Sequence, residues 1–275
     1  MRDAELRLGR ALRSSWRSLY LLLLLIAATI DGKVRRPRVG AEGAVWIHGW
    51  CRRIVRAMGI VCNVDGVLPS GGAVVCNHLS YLDILMFSSI TPFVMVAKKE
   101  LQSWPLLGGL TAQAGSVYVE RGGGPATYPA VNRAMAEAYR SGLPVLFFPE
   151  GTTTDGSYPE GGVMPFRRGL FHSVLNERVP LRVAALRYWF DGENDGATVA
   201  NDICWWGDMT LGPHLFRFLG LWGVRAEVRF GGEVGERADR FALSESARAA
   251  VADMYADLGV ESLAVRGEAE LVEAL

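Results

Sequence analysis

The stretch Ala73–Ile90, AVVCNHLSYLDILMFSSI, changes character twice within eighteen residues. Ala73–Cys76 is a short unbroken apolar run, the pattern of a strand buried on both faces. Asn77, His78 and Ser80 interrupt it with turn chemistry, and the residues from about 82 to 90 read as helix. The same alternation continues on both sides. Further strand candidates are Ile60–Val64, Phe93–Ala97, Ser116–Glu120, Val145–Phe148, Val179–Tyr188 and Arg225–Phe230, with helical stretches near 126–141, 168–177 and 244–258. Strands alternating with helices predict an α/β domain over 61–275, its mixed, mostly parallel sheet flanked by helices.

Composition removes several classes. The 275 residues are 50% hydrophobic and 21% charged, with mean hydropathy +0.16, so the chain can bury enough apolar surface to fold. Thirty-two Gly and twelve Pro without a period exclude a collagen-like chain. Twenty-nine basic residues balance 29 acidic ones, which argues against nucleic acid as a partner. The balance hides a division. Residues 1–56 hold twelve Lys/Arg and four Asp/Glu, a net +8, and the remainder therefore carries −8. From Glu233 onward ten acidic residues face four Arg. A basic arm on an acidic body suits an anionic surface.

Within that arm lies Leu19–Ile30, LYLLLLLIAATI. As a helix it covers roughly 18 Å, short of the about 30 Å of a bilayer core. Arg17 precedes it, and Lys33, Arg35, Arg36 and Arg38 follow. Apolar residues including Leu22, Leu23 and Leu24, between flanking cations, predict a helix lying in or dipping into one leaflet and held by anionic lipids. A second amphipathic segment, about 44–59, places Ile47, Trp50, Ile54 and Met58 at helical spacing beside Arg52, Arg53 and Arg56. Residues 1–60 thus form a predicted helical membrane-binding motif. A signal peptide fits less well, having no clean small-residue cleavage site, and an ordinary buried helix is the plainer alternative. The expectation is a peripheral or monotopic protein on the cytoplasmic face of the cell membrane.

Cys51, Cys62, Cys76 and Cys204 form no C-x-x-C pair, and with four His in the chain neither a zinc site nor any other metal is expected. Phosphate-loop, dinucleotide and serine-hydrolase signatures are absent from the sequence.

Two stretches carry chemistry. On one continuous helix His78 and Asp83 would stand about 140° apart, but a strand end followed by a turn and a new helix can fold the carboxylate back onto the imidazole. Such a pair fixes one ring nitrogen and leaves the other as a general base. A histidine merely hydrogen-bonded in a helix cap has the same spacing. The second stretch, Phe147–Gly156, runs from a buried strand into Pro149, Glu150, Gly151, Thr152 and Thr153. Gly151 permits close backbone approach to a ligand, and the hydroxyls and amides suit an anion or polyol. By itself it would be a turn.

Together the two stretches resemble the glycerolipid acyltransferase family, whose bacterial PlsC-type members acylate lysophosphatidic acid. Asn-His-x-Ser-x-x-Asp is followed about 70 residues later by Phe-Pro-Glu-Gly-Thr. Lys98, Glu100, Leu101, Pro105, Gly108, Gly115 and Arg121 stand between in the order of that family's second block. A looser fourth block begins at Val179-Pro180, with Val183 where a second proline is usual. The resemblance spans roughly 60–190, and the family's two-helix membrane motif would fit residues 1–60. It implies His78 as the base toward an acceptor hydroxyl, Asp83 as its orienting partner, and an acyl thioester, acyl-ACP or acyl-CoA, as donor, with no cofactor. Asn77 and Ser80 fall within the first block as candidate substrate-binding residues, Ser80 structural rather than a nucleophile; Thr153 and Arg167 join the substrate-binding set. Lys98 or backbone amides would stabilise the oxyanion. Glu150, Gly151 and Thr152 would shape the pocket for a lyso-lipid, and Arg121 would pair with its phosphate or carboxylate.

This chain departs from the pattern at Thr153, where phosphatidate-forming members commonly carry Arg. Arg167 or Arg168 could supply that cation. The Thr-Thr-Asp-Gly turn, Met164–Arg167, Trp206–Met209 and Pro213–Leu215 look more like the lyso-ornithine-lipid branch. Trp205, Trp206 and Phe216 read as membrane-edge or acyl-groove residues, or as core.

Overall fold

The computed structural model describes residues 2–120, 128–159, 161–235 and 238–273, with the backbone alone for 2–7, 128 and 261–273. Two helices, α1 (Arg2–Arg35) and α2 (Ala41–Met58), precede the sheet. The strands are β1 (Ile60–Gly66), β2 (Ala73–Cys76), β3 (Val94–Lys98), β4 (Val117–Val119), β5 (Val145–Phe147), β6 (Leu181–Phe190) and β7 (Val224–Glu233). Between and after them run α3 (Leu82–Ile90), α4 (Leu107–Gln113), α5 (Tyr128–Arg140), α6 (Phe171–Asn176), α7 (Leu211–Leu219) and α8 (Arg240–Glu273).

The sheet order is β1-β7-β6-β2-β5-β3-β4, and every pairing is parallel except β6 with β7. This is the mixed, mostly parallel sheet expected. All four residues of central β2 are fully buried, as a strand with both faces covered requires. In β7 burial alternates from Val224 to Phe230, so only one side of that strand meets the core.

Several boundaries differ from expectation, each for a local reason. The run Leu19–Ile30 is the middle of a 34-residue helix, since flanking residues rich in Arg, Leu and Ala continue the helix. No helix of the described residues is long and apolar enough to cross a membrane. Helix α8 begins at Arg240, not near Ser244, because Asp239 Oδ1 accepts the amides of Phe241 and Ala242 at 2.6 and 2.9 Å. Helix α7 was not among the expected elements; its Pro213 occupies the first turn, where no intrahelical N–H is needed.

Helix α1 lies against α7. Arg13 donates to the carbonyl of Gly220 at 2.6 Å, Arg17 to those of Leu219 and Leu221 at 3.2 and 2.6 Å, and Arg10 pairs with Asp202 at 3.0 Å. Near its end Asp31 accepts the indole N–H groups of Trp46 and Trp50 from α2 at 2.9 and 3.1 Å. Helix α2 in turn packs Cys51, Ile54, Val55 and Met58 inward, and His48 Nδ1 lies 2.8 Å from the carbonyl of Ser88 on α3. Helix α1 is therefore bonded to the α/β body through Arg10, Arg13 and Arg17 and to α2 through Asp31, and α2 to the body through His48.

Candidate active site

Parallel strands deliver their C-terminal ends to one place, as open α/β sheets do. His78 follows β2, Phe148 to Gly151 follow β5, Lys98 ends β3 and Glu120 follows β4; His78, Phe148, Gly151, Lys98 and Glu120 line one cavity of about 220 Å³. Its wall is largely apolar, with Tyr81, Ile84, Leu101, Trp104, Leu170 and Trp205 contributing.

His78 Nδ1 lies 2.8 Å from Asp83 Oδ2. The turn of residues 77–81 brings them together, as a strand–turn–helix arrangement allows. The same Oδ2 accepts the backbone amides of Leu79 and Ser80 at 2.7 and 3.0 Å, and Oδ1 accepts the Tyr188 hydroxyl at 2.8 Å. Asp83 is completely buried, so these four bonds replace its hydration. A carboxylate at Nδ1 places the ring proton there and leaves the Nε2 lone pair available. Phe148 stacks on the imidazole with ring centres 4.1 Å apart, holding its plane. Helix α3 presents Asp83 in its first turn, where the helix dipole favours a negative charge.

Glu150 does not shape the pocket. It is buried among backbone donors, its Oε1 accepting the His78 amide at 2.6 Å and its Oε2 the Met164 amide at 3.0 Å. The His78 carbonyl accepts the Thr154 amide at 2.9 Å and the Leu79 carbonyl the Trp205 amide at 2.9 Å, so the loop bearing the imidazole is bonded on both sides. Burial pushes the Glu150 carboxyl up to about 8, against the pull of the Met164 and His78 amides. The folded chain then holds a proton that the unfolded chain, near 4.5, has released, so stability falls as pH rises from about 4.5 to about 8 and levels above. Glu150→Gln removes this component. Unfolding free energy measured by denaturant from pH 5 to 8 should fall more steeply for the parent than for the variant, and equal slopes would contradict the assignment.

Asn77 and Ser80 also point away from the cavity. Asn77 clamps β6 by donating to the Leu186 carbonyl and accepting its amide, both at 2.9 Å. Ser80 is fully buried and its amide serves Asp83. Lys98, Gly151, Thr153 and Arg167 line the cavity, whereas half-buried Thr152 does not. Gly151 has φ +73°, and the Arg167 side chain packs against it. Arg168 instead lies over the Phe241 ring at 4.6 Å. Arg121 falls outside the described residues.

Of the expected membrane-facing residues, Leu22, Leu23, Lys33, Arg35 and Arg36 are exposed, Arg35 bonding Asp31 at 2.6 Å. Arg17 and Leu24 are turned to the body, Arg17 onto the α7 carbonyls and Leu24 against the core. The reason is helical phase: at about 100° per residue neither shares the face of Leu19 and Leu23. Two residues escaped the sequence reading. Tyr188 holds Asp83 from 105 residues away, and Tyr81, inside the first block, forms cavity wall with its hydroxyl 3.1 Å from His214 Nδ1.

The site thus places a bonded imidazole–carboxylate pair on a largely apolar cavity that Lys98 and Arg167 also line. Comparison with known proteins names a family. Residues 60–185 match the family model described as Acyltransferase. A 1-acyl-sn-glycerol-3-phosphate acyltransferase of Neisseria gonorrhoeae is 35% identical over 198 residues, covering 70% of this chain and 73% of that protein. A lyso-ornithine lipid O-acyltransferase of Pseudomonas aeruginosa is 32% identical over 171 residues, 62% of each chain. The crystal structure of the 1-acyl-sn-glycerophosphate acyltransferase PlsC from Thermotoga maritima superimposes with TM-score 0.52 at 16% identity, covering 88% of this chain and 98% of that one, a likeness of fold. The chain belongs to the acyltransferase family.

Proposed function

We propose that the protein moves a fatty acyl group from a thioester, acyl-ACP or acyl-CoA, to the free hydroxyl of a lyso-lipid at a membrane surface. The observation that carries this reading is the His78–Asp83 pair at 2.8 Å, opening on an apolar cavity that also holds Arg167. The Nε2 atom takes the hydroxyl proton as the hydroxyl oxygen attacks the thioester carbonyl, and Asp83 stabilises the imidazolium. Collapse of the tetrahedral intermediate breaks the C–S bond, and the imidazolium returns its proton to the leaving thiolate. Lys98, which ends β3 and lines the cavity, or neighbouring backbone amides would stabilise the oxyanion. Residues 1–60 bring the cavity to the cytoplasmic face of the membrane.

The acceptor is 1-acyl-sn-glycerol-3-phosphate, with phosphatidate as product, and Arg167 pairs with its phosphate. A second reading, lyso-ornithine lipid, is favoured by Thr153, which lines the cavity where phosphatidate-forming members commonly carry Arg. An acceptor panel with one labelled thioester tests both: lysophosphatidic acid should give labelled phosphatidate fastest, and preference for lyso-ornithine lipid would select the second. Thiol release indifferent to any lyso-lipid would instead mark a thioesterase. On the phosphate acceptor, Arg167→Ala should raise KM by about 10- to 100-fold with little change in kcat, the loss of one charge-assisted contact.

A further inference from the structure

We infer that Arg248, on α8 and outside every motif of the family, is a positioning residue for His78, acting through the peptide group that joins Val163 to Met164. The inference rests on the reading of His78 as the base.

The guanidinium of Arg248 is buried, an arrangement that needs a strong acceptor. Its Nε and Nη2 both donate to the Val163 carbonyl, at 3.2 and 3.0 Å. That carbonyl and the Met164 amide belong to one peptide unit. On its far side the Met164 N–H donates to Glu150 Oε2 at 3.0 Å, and Glu150 Oε1 accepts the N–H of His78 at 2.6 Å. A cation on the oxygen of a peptide polarises its N–H and strengthens the bond it donates. The chain of contacts therefore runs without a gap from α8 to the backbone of the base. Its two ends lie on different elements, so the stretch after β5 is fixed between a helix and the catalytic turn. Glu245, a carboxylate 3.7 Å from the guanidinium, is largely exposed, and that ion pair contributes little.

Removing the cation leaves the Val163 carbonyl without those donors and loosens the Glu150 bridge, so the imidazole loses alignment while the cavity wall stays in place. The full-length protein on lyso-lipid vesicles tests this with Arg248→Met, Arg248→Lys, Glu150→Gln and the Met/Gln double variant. Arg248→Met should lower kcat about 10- to 100-fold, the scale on which misalignment acts, with KM within about threefold. Arg248→Lys, which keeps a charged donor, should recover part of it. The double variant should be no slower than the slower single variant, because both changes cut one chain. A kcat within twofold of the parent for folded Arg248→Met, or losses that multiply in the double variant, would overturn the inference. Should circular dichroism find Arg248→Met unfolded, Arg248→Gln decides on the same kcat criterion. His78→Ala separates the two levels: if it stays active the base assignment fails, and if it is inactive while Arg248→Met keeps its kcat, only the role of Arg248 falls.

Discussion

His78→Ala is expected to lose at least about 10³-fold in kcat, within the range of removing a well-placed general base. That corresponds to roughly 4 kcal/mol of transition-state stabilisation. The fold should survive, because the interactions that hold the 77–81 turn use its backbone. The His78 amide is taken by Glu150 and its carbonyl by the Thr154 amide, and neither bond needs the ring. The substitution removes only the stacked contact with Phe148 and one of the four bonds to Asp83. Circular dichroism and vesicle cosedimentation should therefore match the parent while acyl transfer disappears. Turnover within tenfold of the parent would refute His78 as base. Asp83→Asn provides the orthogonal case. Oδ2 faces three N–H donors, so an amide nitrogen there would oppose them, and the same amide at Oδ1 would face the Tyr188 hydroxyl, which can reorient. In that orientation the amide oxygen still accepts from Nδ1, but the charge that stabilises the imidazolium is gone, so the folded variant should be slowed by a lower kcat with KM little changed.

The dyad was legible because it is local. A buried strand, a polar turn and a helix start leave few ways to arrange residues five apart, and the 2.8 Å contact is among them. The roles of Glu150 and Asn77 were not legible, although each sits in a recognisable block. Residue type announces a polar group, but the direction of its side chain depends on partners over 70 residues away in the case of Glu150 and over 100 in that of Asn77. Glu150 meets an amide, Asn77 meets the edge of β6, and both become backbone clamps. Tyr188 and Arg248 are further cases, since a tyrosine in a β-rich run and an arginine in an acidic helix give no local signal of what they will face. The sheet was readable for the opposite reason. Its strands are short apolar runs whose periodicity is set by burial, and only their ends shifted. The site therefore combines a local pair with a scaffold of long-range backbone bonds, which explains why the pair was visible before the scaffold that holds it.

Replacing Leu19 and Leu23 with Glu should release the protein from anionic vesicles. At about 100° per residue Leu8, Leu12, Trp16, Leu19, Leu23, Ile26, Ile30 and Val34 fall along one side of α1, and all are exposed. The opposite side holds Ser14 and Leu21, buried against the body, with Arg10, Arg13 and Arg17 bonded to it. A continuous apolar stripe on a well-bonded helix is costly in water, and lipid is the partner that the neighbouring Lys33, Arg36 and Arg38 suit. Deleting α1 is the poorer test, because it would strip the α7 carbonyls of their Arg13 and Arg17 donors and expose core. Two outward leucines can change without either cost. Each contributes about 1.5–3 kcal/mol when buried, so the pair should reduce partitioning at least about 100-fold. Cosedimentation measures it, with melting temperature as the control for folding. Unchanged binding by a folded double variant would remove α1 as the membrane face. Reduced transfer to vesicle-borne acceptor, with normal transfer to a monomeric short-chain lyso-lipid, would instead separate the two jobs of the chain. The stripe would then deliver the cavity to its substrate, and His78 would act on whatever hydroxyl arrives.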